Sequence, residues 1–344
     1  MREKLELMNP LVSIVTPTYN HEKYIIECIQ SVQAQSYTNW EMIIINDGST
    51  DNTAELVAEY IKNEPRVRIY NQENIGIFRL GESYNFALSE SKGKYISILE
   101  GDDLWESDKL ELQVEILEEN PAIVVAWGKA QTVNGDTKEI YNTHPILDEN
   151  PFFFNQPKGN ILNLLYIENC IPALTITIRK DSLLKVGGFI QNFNLPLVDL
   201  PTLLKLSLLG DFYFHKKVLG QWRIYANQVT KTFPVEIMKG RYDVAVWHYQ
   251  KLPTEIKNQL EISEKSIHAH FNNIIMKGYA MSGRYKLIRK DFSSARKDYI
   301  RSLFYVGVFN PVWRLRALIG LIFSFFHLNI EGLAKLMGKK TYTR

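Results

Sequence analysis

Cysteine is scarce in this 344-residue sequence, and no apolar run reaches the roughly 18–20 residues that span a bilayer. The two cysteines, Cys28 and Cys170, have neither the CxxC spacing of a zinc site nor the number that a disulfide framework needs. We therefore expect two buried thiols in a reducing compartment, the cytosol. The first ten residues have no apolar stretch of signal-peptide length, so we expect no secretion signal there.

Glycine and proline, at 19 and 13 residues, are not in excess, which excludes collagen-like and low-complexity chains. Apolar residues at 45% and charged residues at 23% exclude a disordered chain, and the length suffices for about two domains. The net charge of +2 is unevenly divided. Residues 284–344 have 13 Lys and Arg against 3 acids (+10), whereas the rest have 27 against 35 (−8). A basic part of this kind is typical of proteins that bind nucleic acid or an anionic membrane.

Short β-branched runs alternate with helix-period segments in the first hundred residues. This alternation predicts a helix-covered parallel sheet, and ligands of such sheets bind at the C-terminal ends of the strands. The predicted strands are 11–16, 40–45, 67–70 and 95–99, and the predicted helices are 24–35, 53–63 and 81–91.

The middle of the chain, about 121–224, completes the sheet in our interpretation. It has apolar runs at 123–127, 175–178 and 211–215, and a helix near 200–209. Beyond about residue 232, helical patterns replace strand patterns, at 237–250, 256–281 and 292–304. We therefore predict an α/β domain over 1–230 and a smaller, mostly α-helical region over 231–344.

Three carboxylates, Glu100, Asp102 and Asp103, directly follow the fourth predicted strand. Acids this close repel one another unless a cation neutralises them, and oxygen ligands suit Mg²⁺ or Mn²⁺. The alternative is an acidic turn that caps the next helix.

A second polar loop, Asn46-Asp-Gly-Ser-Thr-Asp51, follows the second predicted strand. Its glycine permits close approach of a ligand, and Asp47 can accept a hydrogen bond from a base or a sugar hydroxyl. Turn chemistry alone also explains such a string. Two polar loops at strand ends predict a single cleft at that edge of the sheet.

Four segments occur in a fixed order: VSIVTPTYN at 12–20, WEMIIINDGSTD at 40–51, NIG at 74–76 and GKYISILEGDDLW at 93–105. Together they resemble the family 2 glycosyltransferases of GT-A fold, over about residues 11–230. The resemblance implies a Rossmann-like mixed sheet covered by helices. It also implies an inverting enzyme that moves a sugar from a nucleoside-diphosphate sugar to an acceptor hydroxyl.

The resemblance also assigns roles to individual residues. Asp102 and Asp103 would bind a divalent metal and the diphosphate, with Asp103 the more direct ligand. Arg79 and Arg223 are candidates to neutralise a phosphate, although a surface arginine explains Arg79 equally well. The nucleotide base and ribose would lie against Thr16, Pro17, Tyr19 and Asp47.

An acceptor hydroxyl is a poor nucleophile until a base takes its proton. The family places this base downstream of a Gly-Gly-Phe turn, here 187–189, which makes Asp199 the candidate. Its alternative role is that of a first-turn acid in the helix that contains Pro201.

The sequence departs from the family pattern at four positions. The family usually has an aspartate at the positions of Asn46 and Glu100. It commonly has an acid at the position of Val198. Tyr225 stands where the family often has a histidine that approaches the metal or diphosphate. Because a phenol is a weak metal ligand, we expect a poorer metal shell.

Apolar and aromatic residues lie beside basic ones at about 311–340. This segment predicts a helix in the membrane interface, at the inner face of the membrane; the alternative is a buried helix or a dimer seam. Nucleic acid is less favoured, because the aromatic residues do not interleave with the charges. A glycan or lipid-linked acceptor in surface polysaccharide synthesis would explain why the C-terminal region contacts a membrane.

Two other functions are open. A sugar nucleotidyltransferase needs a glycine-rich triphosphate loop, which the residues after the first strand do not provide. A non-catalytic sugar-nucleotide-binding protein would tolerate the loss of Asp199.

Overall fold

The computed structural model describes residues 9–191, 195–225 and 228–328. The chain divides into two compact units. One contains the residues up to Gln228 together with Leu252–Glu261, and the other contains Val229–Lys251 and the residues from Ile262 onward. The functional assignment of the two predicted domains remains a prediction.

The described residues of the first unit form one nine-stranded mixed sheet. Its strands are β1 (Val12–Thr18), β2 (Trp40–Asn46), β3 (Val67–Asn71), β4 (Tyr95–Ile98), β5 (Leu104–Trp105), β6 (Ile123–Asn134), β7 (Ile140–His144), β8 (Thr177–Arg179) and β9 (Asp211–Ile224). The order is β3-β2-β1-β4-β8-β6-β9-β5, with β7 paired to β6. β3, β2, β1 and β4 run parallel, β8 is antiparallel to β4 and β6, and β9 is parallel to β6.

Helices cover this sheet, and further helices make up the second unit. Those of the first unit are α1 (Ile25–Gln33), α2 (Thr53–Tyr60), α3 (Leu80–Glu90), α4 (Lys109–Glu119), α5 (Leu162–Leu165), α6 (Lys180–Lys185), α7 (Asp199–Leu206) and α10 (Thr254–Gln259). Those of the second unit are α8 (Val229–Thr232), α9 (Pro234–Lys251), α11 (Glu264–Ile288), α12 (Phe292–Leu303) and α13 (Pro311–Phe325).

Burial explains why the first half of the chain adopts this arrangement. Every residue of β1 and β2 is buried, as expected of continuous apolar strands that are covered on both faces. α1 buries Ile25, Ile29 and Val32, which recur at helical spacing and pack in the core with Ile14. The predicted mixed sheet with covering helices and a helical C-terminal region is confirmed.

Two elements differ from their predictions. The run at 211–215 is only the start of β9, which continues to Ile224. The polar residues Lys216 and Lys217 interrupt the apolar run, but pairing with β6 continues beyond them through register shifts around Lys129. The helix predicted over 256–281 is two helices, α10 and α11, since Ser263 caps a new helix with its side chain.

The cysteines also differ in part from the expectation. Both are free thiols; Cys28 is buried as predicted, whereas Cys170 is partly exposed. Cys170 lies in the irregular segment that follows α5, outside the regular helices and strands.

The second unit packs α9 against α11, α11 against α12, and α12 against α13. Of the helices within residues 9–328 that the structure describes, none is both long enough and apolar enough to cross a membrane. The segment predicted to contact a membrane begins with α13, and its last part, residues 329–340, lies outside the described residues.

Candidate active site

β4 leads directly into an acid loop, which we define as Glu100-Gly-Asp-Asp103. One carboxylate oxygen from each of its three acids lies within 4.8 Å of the others. The loop is tight, because the Asp103 amide donates to the Glu100 carbonyl at 3.0 Å and β5 begins at Leu104. Asp103 is only 2% exposed. Three acidic groups therefore meet at one point on the sheet edge.

The acid loop is short of positive charge. Burial raises the pKa of the Asp103 carboxyl well above its usual range, and the charges of Asp102 and Glu100 raise it further. Burial also raises the pKa of Glu100, followed by the charges of Asp102 and Asp199. A divalent cation would relieve this repulsion, and carboxylate oxygens suit Mg²⁺ or Mn²⁺. The residues present therefore fit such an ion, with Glu100 as a third acid beside the two predicted ligands.

Arg223, at the end of β9, supports the acid loop from inside the protein. Its amide donates to Asp103 Oδ1 at 2.9 Å, and its Nη1 donates to the Asp102 carbonyl at 3.0 Å. Its Nη2 pairs with Glu27. Because the side chain is 2% exposed and engaged in these contacts, Arg223 shapes the loop instead of presenting its guanidinium to a phosphate.

Tyr225 and His21 hold the Asp102 carboxylate through a chain of hydrogen bonds. The Tyr225 hydroxyl donates to Asp102 Oδ2 at 2.8 Å, and His21 Nε2 lies 3.3 Å from that hydroxyl oxygen. His21 Nδ1 lies 3.1 Å from Thr18 Oγ1. Since the tyrosine gives its one proton to Asp102, its oxygen accepts a hydrogen bond from the Nε2–H of His21. Tyr225 thus contacts a predicted metal ligand and fixes its orientation.

Gly101 makes this chain possible. A Cβ atom at position 101 would lie 2.6 Å from Thr18 Oγ1 and 3.0 Å from His21 Nδ1. The Gly101 amide also donates to the Pro17 carbonyl at 3.1 Å. The loop after β1 and the acid loop are therefore in direct contact, and a side chain would separate them.

The predicted nucleotide residues in and directly after β1 differ in accessibility. Thr16 is fully buried, and its Oγ1 has no hydrogen-bond partner among the described residues. Pro17 is also buried, whereas Tyr19 is 44% exposed. Of these three, Tyr19 is the residue whose side chain a ligand can reach directly.

Asp47 accepts three hydrogen bonds from the segment that follows β3. Its carboxylate accepts from Gln72 Nε2 at 2.7 Å, from the Ile75 amide at 2.9 Å and from the Gly76 amide at 3.1 Å. An ionised carboxylate has about four acceptor positions, so one remains for a ligand. A Cβ atom at Gly48, where φ is +64°, would lie 2.6 Å from the Asn74 amide nitrogen. The Asp47 loop (46–51) and the segment 72–76 therefore form one packed unit.

Arg79 lies at the start of α3, near this unit. Its Nε and Nη2 each contact the Glu82 carboxylate at 2.6 Å in an exposed ion pair. The Glu82 contacts raise the pKa of Arg79, and the nearby charge of Asp47 adds to them. Arg79 is exposed and close to Asp47, at the edge of the predicted nucleotide site.

Asp199 is the first residue of α7 and is 8% exposed. Asn169 Nδ2 donates to Asp199 Oδ2 at 2.6 Å. The Gly187-Gly-Phe189 turn upstream is tied to α3, because the Asn85 side chain exchanges two hydrogen bonds of 2.8 Å with the Phe189 backbone. The charge of Asp199 adds to burial and to the charge of Asp102 in raising the pKa of Glu100, so the two carboxylates lie within electrostatic range of each other.

The structure thus brings Asp102 and Asp103 together with Glu100, has Asp199 within electrostatic range of Glu100, and adds neighbours that the sequence did not point to. Tyr84 donates to Glu100 Oε1 at 3.1 Å from within α3, and Asn169 holds Asp199 from a loop. Neither stands in a motif. His21 has a local signal, because it directly follows the TYN string after β1.

Comparison with known families settles the class of this fold. The sequence model of the family described as "Glycosyl transferase family 2" matches residues 13–185, which is half of the chain. The chain belongs to glycosyl transferase family 2. Among its family 2 relatives is the putative teichuronic acid biosynthesis glycosyltransferase TuaG of Bacillus subtilis, 32% identical over 224 residues, or 64% of this chain and 82% of TuaG. The chain spans only 32% and 38% of two other relatives.

Two solved structures share the fold of this family 2 chain. S. aureus TarS 1-349 in complex with UDP-GlcNAc has a TM-score of 0.56 at 16% identity, covering 97% of this chain and 93% of TarS 1-349. The mannosyltransferase PcManGT of Pyrobaculum calidifontis, in complex with GDP-Man and Mn²⁺, has a TM-score of 0.54 at 15% identity, covering 96% and 88%. At these identities the likeness shows the fold alone.

Proposed function

We propose that this family 2 chain transfers a sugar from a nucleoside-diphosphate sugar to an acceptor hydroxyl, with inversion at the anomeric carbon. One observation carries the proposal. One carboxylate oxygen from each acid of the acid loop lies within 4.8 Å of the others, and the charge of Asp199 reaches Glu100. These observations support an acid pair suited to a cation beside an acid suited to proton transfer.

Asp102 and Asp103 hold the metal ion and the donor diphosphate in this proposal. A bound Mn²⁺ or Mg²⁺ supplies Lewis-acid stabilisation of the charge on the leaving diphosphate. Tyr225 fixes Asp102 through its hydroxyl, and the Arg223 amide fixes Asp103. The fold likeness to PcManGT, which binds GDP-Man and Mn²⁺, supports this assignment.

Asp199 is the catalytic base. Held by Asn169, its carboxylate takes the proton of the acceptor hydroxyl as that oxygen attacks the anomeric carbon. The bond to the diphosphate breaks in the same displacement, and a single displacement inverts the configuration. Asp199 also lies at the N-terminus of α7, where the helix dipole favours the ionised carboxylate before the proton is taken.

The nucleotide lies against the loops after β1 and β2. Tyr19 offers an exposed ring for the base, and Asp47 offers its remaining acceptor position. Arg79 is exposed beside Asp47 and can exchange Glu82 for a phosphate. Thr16 and Pro17, both buried, shape the floor of this site through the backbone.

The acceptor is a glycan or a lipid-linked glycan of a surface polysaccharide, as the name of the TuaG relative suggests. With such an acceptor the enzyme acts in the cytoplasm at the inner face of the membrane. The helical C-terminal region then makes the peripheral membrane contact.

Calorimetry with UDP, GDP, CDP and dTDP, each with and without Mn²⁺, tests the donor site. We expect one nucleotide to bind in the presence of Mn²⁺, and Asp103→Ala to abolish that binding. Failure of every nucleotide to bind in either condition would contradict the proposal.

Asp199→Asn separates an enzyme from a binding protein that retains the nucleotide site. We expect turnover to fall by about 10²–10⁴-fold while nucleotide affinity is kept, because general-base catalysis contributes roughly that factor. The matched control is Asp181→Asn, an exposed first-turn acid of α6. Unchanged turnover in Asp199→Asn would exclude the assigned base.

A further inference from the structure

Helix α13 presents five large apolar residues to solvent and buries small ones against the protein. Ala317, Gly320 and Ser324 are buried at helical spacing on one face. A Cβ atom at Gly320 would lie 2.2 Å from the Tyr299 ring, so the helix approaches α12 very closely on this face. The opposite face carries side chains that are 44–58% exposed, namely Val312, Leu315, Leu318, Ile322 and Phe325.

The loop between α12 and α13 continues this exposure. Phe304, Val306 and Phe309 are 76%, 85% and 76% exposed. We call the loop 304–309 the apolar tip. Three large, exposed apolar side chains within six positions form an apolar patch of the kind that marks an interaction site.

The apolar tip has a fixed conformation. Arg314 Nη2 donates to the carbonyls of Tyr305 and Val308 at 3.2 and 3.0 Å. Gly307 adopts a φ of +90°, and a Cβ atom there would lie 3.0 Å from Asn272 Nδ2. Within the tip, Tyr305 and Val308 are half-buried, whereas Phe304, Val306 and Phe309 are exposed.

Basic side chains accompany the apolar ones. Residues 284–328 contain nine Lys and Arg against two Asp, a balance of +7. The Arg296 guanidinium lies 5.0 Å from the centroid of the exposed Phe325 ring, and Arg301 and Arg316 are exposed next to the tip and on α13. Apolar residues beside such a charge match the interface of a bilayer that contains anionic lipid.

We infer that the apolar tip and the outward face of α13 form one lipid-binding surface for an anionic bilayer, with Phe304, Val306 and Phe309 inserted between the headgroups. The inference rests on the proposed membrane contact and names its residues and lipid. It is independent of the sugar-transfer chemistry. It also moves the main anchor upstream of the segment 311–340 that the sequence predicts.

Flotation with vesicles tests the inference on the full chain. The vesicles are phosphatidylcholine alone or phosphatidylcholine with phosphatidylglycerol. We expect wild type to bind the anionic vesicles and salt to weaken this binding. The double variant Phe304→Ser/Phe309→Ser should bind at least about tenfold more weakly than wild type, because the burial of two apolar side chains in the bilayer is lost. The matched control is Ile146→Ser, whose side chain is 79% exposed in the first unit and should have no effect.

The outcomes separate this inference from the wider proposal. Equal binding by wild type and the double variant would overturn the lipid-binding surface and leave the membrane contact to other residues. Absence of wild-type binding to either vesicle would overturn both. A dimer in light scattering that the double variant converts to a monomer, without vesicle binding, would instead assign the surface to a second copy. Nucleotide calorimetry on the same samples reports the donor site separately.

Discussion

Two polar loops lie at the same edge of the sheet and meet their hydrogen-bonding needs in opposite ways. Asp47 accepts three hydrogen bonds from the segment 72–76, so its carboxylate is almost saturated by the protein. Asp103, in the acid loop, accepts one hydrogen bond from the described residues, and two further acids lie beside it. The difference teaches where an ion would fit: hydrogen bonds from the protein satisfy most of the Asp47 carboxylate, whereas the crowded acids of the acid loop have few such donors.

Asp103→Asn should have the largest effect on this contrast. We expect Mn²⁺ affinity to fall by about a hundredfold or more, because the variant replaces a charged carboxylate by a neutral amide, which is a poorer ligand for a divalent cation. Titration of free Mn²⁺ by electron paramagnetic resonance measures this without any turnover. Retention of wild-type affinity would show that the acid loop is not the metal site.

Asp47→Asn should affect stability and leave the metal site intact. The new amide would turn an N–H group toward donors that now face a carboxylate, which costs about 1–3 kcal/mol of unfolding free energy. Thermal unfolding measures the loss of stability. Mn²⁺ affinity should stay within about twofold of wild type, because the hydrogen bonds of the Asp47 side chain go to the segment 72–76 and not to the acid loop. A large loss of Mn²⁺ affinity would break the contrast between the two loops.

Tyr225→Phe should have an intermediate effect on the metal. Removal of the hydroxyl frees Asp102 Oδ2 to rotate, and loss of a residue that orients a ligand weakens metal binding by about tenfold. Tyr213→Phe, near the start of β9, the strand that directly precedes Tyr225, is the matched control. Equal Mn²⁺ affinity in both variants would remove Tyr225 from the site.

The smallest expected effect concerns pH and stability without metal. The folded-state pKa values of Glu100 and Asp103 are raised, chiefly by burial, so each acid stabilises the fold only while it is protonated. That contribution is complete below the ordinary carboxyl range and is lost as pH rises through the raised values.

Glu100→Gln should therefore melt about 2–4 °C above wild type at pH 8 in a chelator, and the gain should shrink toward pH 4. Added Mn²⁺ should reverse the order, because only wild type keeps all three acids. A constant difference across pH would contradict the assigned cause.

The parallel strands and the acid loop were predictable from sequence, because continuous apolar runs and three adjacent acids are local signals. Asp199 needed the family resemblance, since a first-turn acid has no distinctive local pattern. Tyr84, Asn169 and the His21–Tyr225 chain were not predictable, because their contacts join segments far apart in the chain. The exposed apolar residues of α13 belong to the segment 311–340 that the sequence predicted to lie in the membrane interface, with a buried helix as the alternative. Those of the apolar tip, Phe304, Val306 and Phe309, were missed, because they lie in a short loop without periodicity.

Gly101 limits which substitutions the protein can accept at this position. It offers a ligand no side chain, yet any substituent there would collide with Thr18 and His21. In a library of random variants, position 101 should tolerate as little change as the acids on either side of it. A selection experiment would thus record it as functional, although its whole contribution is the space it leaves empty.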